Sequence, residues 1–136
     1  MNEPQNALMN KRILIIGAGA VGGYVGAHFA RAGHDVIMAD PWPAHVEHMQ
    51  AHGLRLEGMT EPECFSTPIR AMHFTDLQSL AKEKPADIAF ICVKSYDTPW
   101  AAALAKNYLA ADGFMVSLQN GINEDAIAAV VGWSKV

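Results

Sequence analysis

Charge is scarce in this chain, and so are cysteines and long apolar runs. Of 136 residues 18% are charged, with 10 Lys and Arg against 14 Asp and Glu. No basic run occurs, which argues against a nucleic-acid partner. Two cysteines, Cys64 and Cys92, are too few for a disulfide framework and demand no oxidising compartment. Cys92 lies in an apolar stretch and reads as a reduced core residue. There is no internal repeat and no low-complexity segment. The longest apolar candidate, Ile13 to Ala27, follows Lys11-Arg12 and so imitates a signal peptide. It is too short and too glycine-rich for a membrane helix, and its glycine spacing would have no purpose in a signal sequence. The expectation is a cytoplasmic protein without membrane contact. What is left, 51% hydrophobic residues, suits one globular domain with a proper core. Residues 1–10 lack apolar periodicity and read as a flexible tail, with the domain over 11–136.

The informative stretch is Arg12-Ile13-Leu14-Ile15-Ile16, followed at once by Gly17-Ala18-Gly19-Ala20-Val21-Gly22. A run of apolar residues with β-branched members reads as a strand buried on both faces. The glycines then follow the G-x-G-x-x-G spacing. Gly17 permits the tight turn, Gly19 lets the backbone approach a pyrophosphate, and Gly22 lets a helix pack close to the strand. The phosphates would sit on free N–H groups at the positive end of that helix. Context strengthens the motif. A helix is expected from about Ala20 to Ala32, with small residues Gly22, Gly26 and Ala30 on one face and Gly33 as a left-handed cap. A second strand, Asp35 to Ala39, ends in Asp40, 18 residues beyond Gly22, near the place of a ribose-binding carboxylate. A carboxylate there accepts from both ribose hydroxyls and repels a 2′-phosphate, so Asp40 favours NAD over NADP.

The alternation continues. A turn at Pro41-Trp42-Pro43 leads to a short helix, Ala44 to Ala51, closed by Gly53. Residues 54–75 suggest one or two short strands with a loop near Glu61-Pro62. Thr75 or Asp76 caps a helix to about Lys84. A buried strand, Asp87 to Val93, precedes a helix from Trp100 to Ala110 capped by Asp97 or Thr98. A strand, Phe114 to Leu118, precedes a helix capped by Asn123 with Glu124 and Asp125 in its first turn. Trp133 to Val136 would begin another strand. The pattern implies an α/β fold, Rossmann-like and doubly wound, a mostly parallel sheet with helices on both faces.

In such sheets ligands bind beyond the carboxyl ends of the strands. That edge collects Gly17–Gly22, Asp40, Lys94-Ser95-Tyr96-Asp97 and Gln119-Asn120-Gly121. Lys94 is either a solubilising charge at a strand end or an ammonium for the nicotinamide ribose or an acidic substrate. Asn120-Gly121 precedes a helix, so it reads as a strand-to-helix turn whose Asn120 amide could hold a ribose hydroxyl or a substrate oxygen. Trp42 either flanks adenine or simply packs. His45, His48 and His52 share a helix face at i, i+3, i+7, yet no carboxylate or cysteine completes a metal set, and no metal is expected.

Together, Lys11 to Gly23, Ala32-Gly33-His34-Asp35-Val36, Val93-Lys94-Ser95-Tyr96-Asp97-Thr98 and Ser117-Leu118-Gln119-Asn120-Gly121-Ile122 resemble the amino-terminal domain of ketopantoate reductases (2-dehydropantoate 2-reductases). The resemblance implies reduction of the 2-keto acid ketopantoate to pantoate, on the route to pantothenate and coenzyme A. The cofactor contacts expected from the glycine spacing and the strand-end acid are Gly17, Ala18, Gly19, Ala20, Val21, Gly22 and Asp40, although the family tends to carry a basic or neutral residue near the position of Asp40. Lys94 and Asn120 would lie at both cofactor and substrate and support catalysis. The family habit is NADPH, against the lean of Asp40 toward NAD. The family's main catalytic lysine belongs to a carboxy-terminal helical domain absent from these residues, so the chain alone is expected to be inactive. An exposed apolar docking face would invite a homodimer. Two alternatives share the scaffold. One is an NAD-sensing regulatory domain of a potassium channel or transporter, in which the Lys94 and Asn120 segments are not expected. The other is a related 2-hydroxyacid or opine dehydrogenase.

Overall fold

The computed structural model describes residues 10–136, so all but Asn10 of the expected tail lies outside the described residues. Five strands form one parallel sheet: β1 (Arg12–Ile16), β2 (Asp35–Asp40), β5 (Arg70–His73), β6 (Ala86–Ile91) and β7 (Leu109–Ser117), in the order β5-β2-β1-β6-β7. Strand order reverses between β1 and β6, which makes the crevice beyond their carboxyl ends the topological switch point. A separate antiparallel pair, β3 (Leu54–Leu56) and β4 (Phe65–Thr67), follows the second helix.

Side chains alternate across β1 and divide the core in two. Leu14 and Ile16 pack with Ile37, Leu77, Ile91, Ala101 and Ile127. That layer is covered by α3 (Thr98–Lys106), α4 (Glu124–Val131) and the 3₁₀ segment Phe74–Lys82. Ile13 and Ile15 face the other way, among Val36, Met38, Val46, Met49 and Phe90, under α1 (Ala20–Arg31) and α2 (Pro43–His52). This two-sided burial is why the strands read as continuous apolar runs rather than alternating ones. It is the doubly wound architecture expected.

Helix α1 ends as Gly33 demands. Gly33 has φ +97°. Its N–H donates to the Ala30 carbonyl at 3.1 Å and that of His34 to Phe29 at 3.1 Å, a Schellman closure. Other boundaries differ from expectation. Phe74–Lys82 is 3₁₀ rather than α, and its N-cap position is held by His73 without a side-chain cap. Asp76 is diverted, since its Oδ2 lies 3.1 Å from His73 Nδ1. Helix α3 stops at Lys106 and β7 starts at Leu109, five residues before the expected Phe114. The early start pairs Leu109 with Ala86, and a register shift before Ile88 absorbs the extra residues. Trp133–Lys135 is a 3₁₀ turn, not a strand. Lys135 Nζ donates to the carbonyls of Ala111 and Gly113, so a side chain rather than a further strand meets that edge of β7.

Candidate functional site

The glycine turn is pinned from both neighbouring strands. Gly17 N–H donates to the Ala39 carbonyl of β2 at 2.8 Å, and Cys92 N–H beyond β6 donates to the Ile16 carbonyl at 2.9 Å. Gly17 has φ +100°, and a Cβ there would stand 2.9 Å from the Cys92 carbonyl carbon. Burial pushes the Cys92 thiol up to about 12, so this cysteine stays a protonated packing group.

The three motif glycines have separate duties. A Cβ on Gly22 would fall 1.9 Å from the Gly17 carbonyl oxygen, so this glycine closes the helix onto its own turn. The tight contact between helix and sheet lies one turn later, at Gly26, against Met38 and Ile15. Gly19 differs, with φ −74° and no atom within 4 Å of a Cβ placed there. Nothing in the fold demands glycine at position 19, and the space in front of it is open. No side chain caps α1 and no acid occupies its first turn. The helix therefore presents free N–H groups and a positive dipole end to that space.

Asp40 ends β2 and is buried at 8% exposure. Its Oδ2 accepts the Ala18 N–H at 2.9 Å, and its Oδ1 accepts the Trp42 N–H at 2.9 Å. The carboxylate thus supports the turn backbone, with acceptor capacity to spare on both oxygens. His45, in the first turn of α2, completes the hold. Its Nε2 lies 2.8 Å from the Ala18 carbonyl, which can only accept, so Nε2 carries the proton. Both polar groups of the Ala18 peptide are held by side chains from other elements. The i, i+3, i+7 spacing of the histidines does not bring three rings together for a ligand. His45 turns to Ala18, while His48 and His52 lie against each other as tilted rings with centroids 4.9 Å apart.

These groups border a cleft of about 530 Å³. Its floor is Ala18, Gly19, Ala20 and Asp40. Tyr24 of α1, His45 of α2 and Leu54, Arg55 and Leu56 of β3 form its walls. Trp42 stands at the mouth, 68% exposed. Sequence reasoning missed Tyr24 and the β3 wall because neither belongs to a motif. The cleft suits the adenosine and pyrophosphate of a dinucleotide: open glycine, uncapped helix end, a carboxylate beside them, and walls that mix leucines with Tyr24, His45 and Arg55.

Lys94 and Asn120 do not line this cleft. They lie on the other side of the switch point, both exposed. Ser95 Oγ donates to the Asn120 carbonyl at 2.9 Å and so joins the two segments. Gly121, φ +86°, makes the strand-to-helix turn expected. Asn123 holds the N-cap position of α4 but does not cap it. Its amide turns back to the Asn120 carbonyl at 3.0 Å. Asp97 likewise precedes α3 without a side-chain cap. The residue overlooked here is Gln119, which touches both segments.

In sequence and in fold the chain is similar to known proteins. The family model described as "Ketopantoate reductase PanE/ApbA" matches residues 13–136. The 2-dehydropantoate 2-reductase of Archaeoglobus fulgidus is 36% identical over 126 residues, covering 88% of this chain and 35% of that protein. A PanE/ApbA family ketopantoate reductase from Ralstonia eutropha superposes with a TM-score of 0.75 at 39% identity, over 89% of this chain and 38% of that one. D-mandelate dehydrogenase, solved with NADH and anilino(oxo)acetate, shares the fold at a TM-score of 0.74 and 24% identity, over 88% of this chain and 37% of that one. The chain thus spans little more than a third of the relatives it matches. Among the described residues no helix is long and apolar enough to cross a membrane.

Proposed function

Because the chain belongs to the ketopantoate reductase PanE/ApbA family, we propose that it forms the dinucleotide-holding part of an oxidoreductase acting on ketopantoate or a closely similar 2-keto acid. One observation carries the proposal: an open glycine, an uncapped helix end and a carboxylate border a single cleft of about 530 Å³ at the carboxyl edge of a parallel sheet, beside its switch point.

In this reading the N–H groups of Gly19, Ala20, Val21 and Gly22 bind the pyrophosphate. The Asp40 carboxylate, already fixed by Ala18 and Trp42, accepts from the adenosine ribose with its remaining lone pairs. A nicotinamide cofactor supplies the hydride that reduces the keto carbon to a secondary alcohol. The Lys94 ammonium attracts the carboxylate of a keto acid or holds a ribose hydroxyl. The Asn120 amide donates to an oxygen of the same ligand and so fixes its orientation. Proton delivery to the nascent alkoxide is assigned to no group on these 136 residues, so turnover of ketopantoate by this chain alone is expected to fall below detection. Asp40 by itself favours NAD, since a buried carboxylate repels a 2′-phosphate.

Titration with NADH and NADPH, followed by nicotinamide fluorescence and calorimetry, tests the reading. Saturable binding of at least one, tighter for NADH, is expected. Failure of both to bind at millimolar concentration would overturn it, and equal or tighter NADPH binding would overturn the role given to Asp40.

A further inference from the structure

Gln119 lies between Ser117, at the end of β7, and Asn120, and both donors of its amide are taken by the elements around it. Nε2 donates to the Val93 carbonyl at 2.8 Å and to Thr98 Oγ1 at 2.7 Å. Oε1 accepts from Ser117 Oγ at 3.0 Å. The orientation of the amide is forced, since the Val93 carbonyl can only accept. Thr98 is fully buried, 0% exposed, and opens α3. One amide therefore ties the chain leaving β6, the start of α3 and the chain leaving β7. The residues just outside this knot are Lys94, next to Val93, and Asn120, next to Gln119. Ser95 Oγ closes it from the surface by donating to the Asn120 carbonyl at 2.9 Å.

We propose that Gln119 is a positioning residue for the nicotinamide half of the cofactor: its amide latches the Lys94 loop to the Asn120 turn, so that both side chains meet the ligand as one unit. The inference rests on the dinucleotide reading above. The physical reason is preorganisation. Lys94 and Asn120 are exposed on separate connections, and each would have to be ordered when the ligand arrives unless something orders them beforehand. The adenosine cleft is built from β1, α1, β2, α2 and β3, and makes no use of Gln119. A defect in the latch should therefore be felt at one end of the cofactor and not at the other.

That asymmetry supplies the test. Gln119→Glu keeps the shape and Oε1 but removes the donor, leaving the Val93 carbonyl facing a carboxylate oxygen. Wild type and variant are titrated with two pairs of probes: NADH and ADP-ribose, NADPH and 2′-phospho-ADP-ribose. In each pair the second probe lacks the nicotinamide. The wild type is expected to bind the full dinucleotide more tightly than its truncated partner. The variant should lose about tenfold or more for the dinucleotide, the scale of one unsatisfied buried hydrogen bond, and less than about twofold for the truncated probe. Equal losses for both probes, or none for either, would overturn the proposal, since a general loss of fold would move both. Equal wild-type affinity for the two members of a pair would also overturn it while leaving the dinucleotide reading intact. Absence of wild-type binding to any probe would instead defeat the dinucleotide reading. If Gln119→Glu does not fold, Ser95→Ala, an exposed change in the same latch, should show the same one-ended loss at smaller size. No such loss would count against the proposal.

Discussion

At the scale of single residues, the peptide of Ala18 bears the most consequence. Its N–H goes to Asp40 and its carbonyl to His45, so two side chains from different elements hold the turn before any ligand arrives. Asp40 therefore has a structural duty that a ribose-binding acid need not have. Asp40→Asn separates the two. An amide can accept only through its oxygen, so either the Ala18 or the Trp42 N–H faces an NH₂ group and loses its partner. The variant should be less stable than wild type by about 1–3 kcal/mol in urea unfolding without any dinucleotide. A residue that merely contacts ribose would leave that measurement unchanged. The position of Asp40 at a strand end was legible in the sequence, because a strand, a turn and spacing from the glycines mark it. Its bonds to backbone were not, because they depend on where the turn folds back. His45 was legible only as one of three histidines on a helix face, and Gln119 only as part of a motif next to Asn120.

Among the elements, the strand–turn–helix unit from Arg12 to Gly33 was readable nearly to the residue, since apolar runs, glycine spacing and a left-handed cap are local signals. What only packing decided was which of the motif glycines the fold requires and which it does not. Gly19→Ala should fold with wild-type stability, within about 0.5 kcal/mol, because its φ is −74° and no atom lies within 4 Å of the new Cβ. Its dinucleotide affinity should nevertheless fall by about tenfold or more, because the methyl occupies the approach of the pyrophosphate. Gly22→Ala should behave oppositely and lose stability first, since its Cβ meets the Gly17 carbonyl at 1.9 Å and backbone cannot step aside as a side chain can. Thermal unfolding beside a binding titration distinguishes the two. The elements that sequence misplaced lie at sheet edges and ends. There, Leu109 to Asp112 could extend a helix or a strand with little local preference, and pairing with Ala86 decided the matter.

Across the whole molecule, the sheet separates the charged network from the candidate chemistry. The cleft and the Lys94–Asn120 pair occupy the carboxyl edge. The charged network occupies the opposite edge, where strands begin. Arg12 Nε meets Asp35 at 2.7 Å, and the Arg12 N–H donates to Asp87 Oδ2 at 2.8 Å. Arg70 grips Glu83 through two bonds at 2.7 and 2.6 Å. The Arg70 guanidinium, with Arg12 beyond it, lowers the Glu83 carboxyl to about 2 from the usual 4.5. A depressed folded-state value means that this contribution is complete above about 4.5 and fades as pH falls toward 2. The Tm should therefore fall as pH drops across that window. Glu83→Gln should flatten the decline while leaving dinucleotide binding at neutral pH as in wild type, since the change lies at the far edge. A variant with unaltered acid sensitivity would exclude Glu83 as its source. The sequence by itself determined the strand–helix alternation, the glycine turn, the acid at the end of β2 and the family, because each is written in local spacing. Only the tertiary structure decided that Ala18 is clamped, that β3 walls the cleft, that Gln119 joins two distant loops and that Gly19 alone of its motif is free. Those facts depend on contacts between residues far apart in the chain, which no local pattern encodes.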